Sequence, residues 1–200
     1  YYIGNLEFAK LVPGEAHCYD LNGDEIEKET TEIKWDAEAA EKAGFEHFMM
    51  KEIYEQPKAI RDTLNSVVKD GVIDFTDIDI TEEEIKKYSQ IYIVACGSAW
   101  HVGVEAQYVI EELAQIPVRV ELASEFRYRE MPLVKDGLVI VISQSGETAD
   151  TLAAMRMAKD KGLATLAVVN VIGSSIAREA DKVFYTLAGP EISVATTKGY

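Results

Sequence analysis

From residue 91 onward, short apolar runs alternate with amphipathic stretches: I-Y-I-V-A-C, V-R-V-E-L-A, L-V-I-V-I-S, A-T-L-A-V-V-N and K-V-F-Y-T-L-A. A strand apolar along its whole length must be covered on both faces, and a helix between successive strands makes them parallel. The crossovers are then right-handed. Between the runs, Val102, Ala106, Val109, Ile110 and Leu113 mark one face of a helix. A short helical piece around S-E-F-R-Y follows the second run. The helix after the third stops at Gly162, with Lys159 and Lys161 in its last turn. S-S-I-A-R-E-A forms the next. The expectation is an α/β domain built on a five-stranded parallel sheet.

The preceding residues follow other rules. Residues 1 to about 34 read as strands, with E-A-H-C-Y-D-L and E-I-E-K-E-T-T-E-I flanking N-G-D. Asn22-Gly23 is a hairpin signal in which both central positions favour positive φ. A lone hairpin is marginal in water, so this part is expected to complete a sheet begun upstream. From about 35 to 90 the pattern is helical and acidic. Met49, Ile53, Ile60 and Leu64 stand near helical spacing, with Pro57 limiting or kinking the helix. Thr81 and Glu84 form a capping-box pattern. This region reads either as a connector between domains or as helices packed on the next domain.

Composition narrows the possible partners. A formal charge of −15, from 20 basic and 35 acidic residues, lacks the basic footprint that nucleic acid or an anionic membrane requires. Cys18 and Cys96 form no spaced pair, and His17, His47 and His101 are scattered, so neither a disulfide framework nor a metal centre is indicated. No apolar stretch reaches the roughly 18 residues of a membrane span. The start lacks a signal peptide's basic and apolar segments, which makes a cytoplasmic setting the default. The chain opens on Tyr1 without an initiator Met, as a piece of a longer protein would.

In an open α/β sheet, ligands bind beyond the carboxyl ends of the strands, where strand order reverses. That rule selects the segments after the first, third and fifth strands: C-G-S-A-W-H (96–101), S-Q-S-G-E-T (143–148) and V-A-T-T-K (194–198). The second is the most informative. A helix starting near Gly146 to Thr148 presents unpaired amides equivalent to about half a positive charge. Gln144, Ser145 and Thr148 add side-chain donors, and Gly146 lets a ligand approach the backbone. A phosphate fits such an array without a lysine. Against this, Ser145 alone is an ordinary N-cap, worth about 1 kcal/mol. Glu147 is expected to point away from a bound phosphate, and Thr151 to lie on the helix surface or in packing. Gly97 suits a tight strand-to-helix turn with Ser98 as its cap. Gly97 and Gly103 do not make a dinucleotide fingerprint. Cys96 reads as a small buried hydrophobe rather than a nucleophile. Thr196, Thr197 and Lys198 either cap a helix or reach the ligand.

A-C-G-S-A, E-L-A-S-E-F-R-Y-R, S-Q-S-G-E-T-A-D-T-L, G-S-S-I-A-R-E and V-A-T-T-K occur here in one order. Together with F-M-M-K-E-I-Y-E-Q-P they closely resemble the isomerizing glutamine–fructose-6-phosphate aminotransferase family over essentially the whole chain. S-Q-S-G-E-T alone would indicate only a sugar isomerase (SIS) domain. The resemblance implies that residues 1–34 end a glutaminase domain, 35–71 form a helical linker, and 72–200 form the first of two SIS domains. It implies a flavodoxin-like αβα sandwich and a site for fructose 6-phosphate or glucosamine 6-phosphate. That site would be lined by Cys96, Gly97, Ser98, Ser143, Gln144, Ser145, Thr148, Val194 and Thr196. It also implies no cofactor, no catalytic residue within this stretch, and a homodimeric full-length enzyme. Members commonly carry a hydroxyl where Ala99 stands, Ser for Thr196 and Ala for Gly199. The competing class is a non-catalytic SIS module that senses a phosphosugar.

Overall fold

The computed structural model describes residues 1–30 and 41–200 and divides into two compact units, Tyr1–Asp36 and Ala37–Tyr200. In the first, β1 (Phe8–Val12), β2 (Glu15–Tyr19) and β3 (Glu25–Ile26) form an antiparallel sheet in chain order. The β1 strand adds to the pair the sequence marks. The Asn22-Gly23 turn departs from expectation, because only Gly23 has positive φ, at 84°. Asp20 organises a longer loop instead, its carboxylate accepting from the Asn22 and Asp24 amides at 2.9 and 3.0 Å. A side chain that captures two amides removes the need for a two-residue turn. The rest of the second expected strand, beyond residue 30, lies outside the described residues.

The second unit opens with α1 (Phe48–Val67), followed by β4 (Val68–Lys69), β5 (Val72–Ile73), a 3-10 turn at Thr76–Ile78 and α2 (Glu82–Ile85). Thr81 caps α2, its hydroxyl accepting from the Glu84 amide at 3.1 Å. The alternating part then runs β6 (Gln90–Ala95), α3 (Gly97–Ala114), β7 (Val118–Leu122), α4 (Ala123–Phe126), β8 (Gly137–Ser143), α5 (Ala149–Asp160), β9 (Ala164–Val169), α6 (Ser175–Glu179) and β10 (Lys182–Tyr185). The five long strands pair parallel in the order β10-β9-β8-β6-β7. Strand order therefore reverses between β6 and β8, the topology of a flavodoxin-like sheet.

Alternate residues of each strand supply two cores. Tyr92, Val94, Val139, Val141 and Val169 pack with Phe126, Met155 and Ile176 on one face, and Ile91, Ile93 and Ile142 pack with Ala99 and Val118 on the other. Burying each large side chain contributes about 1.5–3 kcal/mol. Tyr92 satisfies its hydroxyl by accepting from the Val134 amide at 3.1 Å while its ring tilts against Phe126.

Two helix faces differ from the reading of their periodicity. On α3 the sheet-facing side is the small one, with Ala99 and Gly103 buried, while Val109 and Leu113 are exposed. A Cβ on Gly103 would stand 2.8 Å from Ile93 Cγ2 and 3.1 Å from Val120 Cγ1, so close approach to the sheet selects small residues over large ones. Gly103→Ala should cost about 1 kcal/mol in urea unfolding, because overpacking outweighs the gain in helix propensity. On α1, Met49, Ile53, Ile60 and Leu64 are exposed, and the buried residues are Lys51, Glu52 and Ala59. The helix also runs through Pro57 without ending. The far end of α5 follows expectation: Gly162 takes φ 80° and its amide meets the Lys159 carbonyl at 2.8 Å.

Candidate functional site

The carboxyl ends of β6 and β8 lie side by side, since Ala95 pairs with Ile142. Each strand leads into a helix, β6 through Cys96 alone and β8 through a short loop. From Ser143, the last residue of β8, the chain runs Gln144-Ser145-Gly146-Glu147-Thr148 and enters α5 at Ala149. Ser143 is buried and fastens this loop. Its hydroxyl accepts from the Gly146 amide at 3.1 Å and meets the Thr148 hydroxyl at 2.9 Å. Gly146 takes φ 64°, and a Cβ there would land on the Ser174 side chain. The loop thus depends on glycine twice, for its backbone angle and for its contact with the start of α6.

The capping explanation for the hydroxyls meets a specific obstacle. Thr148 is the residue before α5, yet its side chain makes no capping bond, being turned to Ser143. Ser145 stands too early to cap the helix and accepts instead from the Glu147 amide at 3.2 Å. The first amides of the twelve-residue α5, those of Ala149, Asp150 and Thr151, have no intrahelical carbonyl to bond. A helix start left uncapped by its own side chains is a ready receptor for an anion. Asp150, the acidic residue in this first turn, is paired with Arg127 at 2.7 Å. Glu147 turns to another helix, accepting from the Ser175 amide at 2.7 Å, and so stays off the socket. Thr151 is fully buried and approaches Cys96 Sγ at 3.8 Å. It packs the β6 and β8 loops together rather than lying on the surface.

After β6, Cys96 precedes α3 and is half-buried, while Gly97 (φ 56°) and Ser98 are exposed. Ala99 is turned into the core, where it packs with Ile91, Ile93 and Val118. Ser98 is therefore the hydroxyl this loop offers to solvent.

The segment after β10 comes from the edge of the sheet and returns across it. Asn170, at the end of β9, holds Ala188 and Gly189. Further on, Gly199 is buried against Gln144: a Cβ there would stand 2.9 Å from Gln144 Cγ and 3.1 Å from Thr196 Cγ2. Tyr200 packs on the core face of Ile91 and Ile142. Burial pushes its hydroxyl up, opposed by hydrogen bonding to Thr196 and the Gln144 backbone. Thr196 thus sits beside the β8 loop, whereas Val194 is fully exposed. No helix follows Thr196 or Thr197 for them to cap within the described residues.

Two carboxylates that the sequence did not single out, Glu191 and Glu55, hold this segment, and Lys198 turns to one of them rather than to the site. Glu191 Oε1 accepts from the Thr197 and Lys198 amides at 2.7 and 2.9 Å, and buried Lys198 pairs with Glu55 of α1 at 2.6 Å. Their signal in the sequence is no stronger than that of any surface carboxylate, so nothing in the pattern would have found them.

Residues 84–200 match the family model of the SIS domain. The glutamine–fructose-6-phosphate aminotransferase (isomerizing) of Clostridium acetobutylicum is 58% identical over all of this chain. That of Methanosarcina mazei is 47% identical, again over the whole chain. The chain spans about a third of the length of these relatives (33% and 32%). Among solved structures, the C-terminal domain of glucosamine–fructose-6-phosphate aminotransferase from Francisella tularensis superposes with a TM-score of 0.76 at 45% identity. It covers 80% of this chain and 45% of its own.

Proposed function

Since the chain belongs to the SIS domain family, we propose that the segments around Cys96–Ser98, Ser143–Thr148 and Val194–Thr196 form the sugar-phosphate half of an isomerase site. The observation that carries this is the uncapped start of α5, set at the strand-order reversal with Ser145 and Thr148 beside it. In this reading a 6-phosphate dianion takes the amides of Ala149 to Thr151 and the hydroxyls of Ser145 and Thr148. Gln144, Ser98 and the 194–196 segment face the sugar, and Ser143 braces the loop from behind. Against a chain charge of −15, an anion is held by local donors alone.

The names and identity of the relatives support a wider reading. Residues 1–34 end a glutaminase domain, 35–71 link it onward, and 72–200 make the first of two SIS domains. The longer protein then makes glucosamine 6-phosphate and glutamate from fructose 6-phosphate and glutamine, as a cytoplasmic homodimer. The chemical steps fall to residues outside this chain, whose own contribution is to grip and orient. Among the described residues no helix is long and apolar enough to cross a membrane.

Titrating the chain with glucosamine 6-phosphate while following backbone amides by NMR tests the site. The expected result is saturable shifts centred on Ser143 to Thr151 and reaching Ser98 and Thr196. Shifts clustered elsewhere, or none at millimolar ligand, would sink the assignment.

A further inference from the structure

Helix α1 presents to the rest of its unit a face that is polar where a packing helix is usually apolar. Glu52 is 2% exposed. One carboxylate oxygen accepts from the Ile192 and Ser193 amides at 2.6 and 3.1 Å, and the other takes the Ser193 hydroxyl. One turn on, Glu55 holds Lys198 at 2.6 Å and Lys51 at 3.4 Å, and Gln56 donates to the Thr197 carbonyl. Residues 52, 55 and 56 share one side of the helix by their spacing. They grip the chain at 192–193 and at 197–198, the two feet of a loop whose crest is Val194, Ala195 and Thr196.

A buried carboxylate is destabilising unless its lone pairs are taken. Burial pushes the Glu52 carboxyl up, but the bonds from Ser193 and from the Ile192 and Ser193 amides, with the charge of Lys198, hold it below the ordinary carboxylate value. Its partners are two backbone amides and one hydroxyl of one short loop. Such an arrangement orders that backbone; an apolar side chain would have filled the space without doing so.

We propose that Glu52 is a positioning residue for sugar recognition. It fixes the height of the 194–196 crest over the phosphate loop, so that the site distinguishes a phosphosugar from free phosphate. This rests on the sugar-phosphate reading of the same site.

The test titrates the chain with glucosamine 6-phosphate and, separately, with inorganic phosphate, by NMR. Wild type should show shifts at 143–151 with both ligands and at 194–196 with the sugar phosphate alone. Glu52→Ala should weaken glucosamine 6-phosphate by about ten-fold while leaving phosphate within about two-fold, since only contacts made by the crest are disordered. Hydrogen exchange at Ile192 and Ser193 should accelerate. Glu52→Gln, which keeps the shape and one carbonyl acceptor, should recover most of the affinity. If Glu52→Ala fails to fold, the double variant Gln56→Ala with Ser193→Ala loosens both feet of the loop and carries the same expectation. Equal weakening of both ligands, or unchanged affinity for both, overturns the inference and leaves the phosphate site standing. Absence of any shift at 143–151 in wild type instead overturns the site itself, and the inference falls with it.

Discussion

Gly146→Ala should lower stability by roughly 3 kcal/mol and abolish sugar-phosphate binding. Two costs combine. A residue with a Cβ in the left-handed region loses about 1–2 kcal/mol relative to its preferred angles, and Gly146 sits at φ 64°. The new methyl would also overlap the Ser174 side chain, both its hydroxyl and its Cβ, so rotating the hydroxyl away does not clear the space. Overpacking of this kind costs about 1–3 kcal/mol. Relief comes by moving the loop, which carries Ser145 and leads into Thr148, so binding fails along with stability. Urea denaturation with tryptophan fluorescence reads the first effect and calorimetry the second. Adding Ser174→Gly should restore about half of the lost stability by removing the overlap, leaving the cost of the backbone angle. A Gly146→Ala variant as stable as wild type would show that the loop has another conformation available.

The second large effect separates an anion site from a helix cap. Replacing Ser145 and Thr148 together by Ala should weaken glucosamine 6-phosphate by about 100-fold, since each hydrogen bond to a charged group contributes about 1.5–3 kcal/mol. The melting temperature should fall by only a few degrees. The bonds lost within the protein are Ser145 to the Glu147 amide and Thr148 to Ser143, each worth about 0.5–1.5 kcal/mol net. Neither hydroxyl caps α5, so removing them leaves the helix start as it was. Weakened stability with unaltered affinity would instead return these residues to a purely structural role. Single variants are less decisive, because the remaining hydroxyl and the amides of α5 still hold the phosphate.

Several features are legible in the residues alone. Continuous apolar runs must be buried on both faces, and that alone dictates a parallel sheet with helices on each side. Gly162, with lysines before it, ends α5 because αL and the helix dipole act within a single turn. The structure departs from the local pattern where a longer-range constraint overrides it. Val109 and Leu113 fit the periodicity of α3, but the helix axis lies so near the sheet at Gly103 that small residues take the buried side. Met49, Ile53, Ile60 and Leu64 mark the apolar side of α1, yet its buried side is the one that meets backbone amides through Glu52. Asn22-Gly23 signals a tight turn, but Asp20 captures the neighbouring amides first.

The sequence by itself determined the five strands, the helices between them, and the hydroxyl-rich loop after the third strand. Each of these depends on residues within a turn or two of one another, where periodicity, propensity and glycine's backbone freedom operate. Only the tertiary structure decided how the loops after the first and third strands meet, through Thr151 and Cys96, because that contact joins residues 55 positions apart. It alone carried residues 188–200 from the far edge of the sheet back to Gln144, and turned a buried carboxylate on α1 into the anchor of that return. Contacts between residues some 140 positions apart, such as Glu52 with Ser193, leave no periodic trace, since a single carboxylate reads the same whether it faces water or an amide.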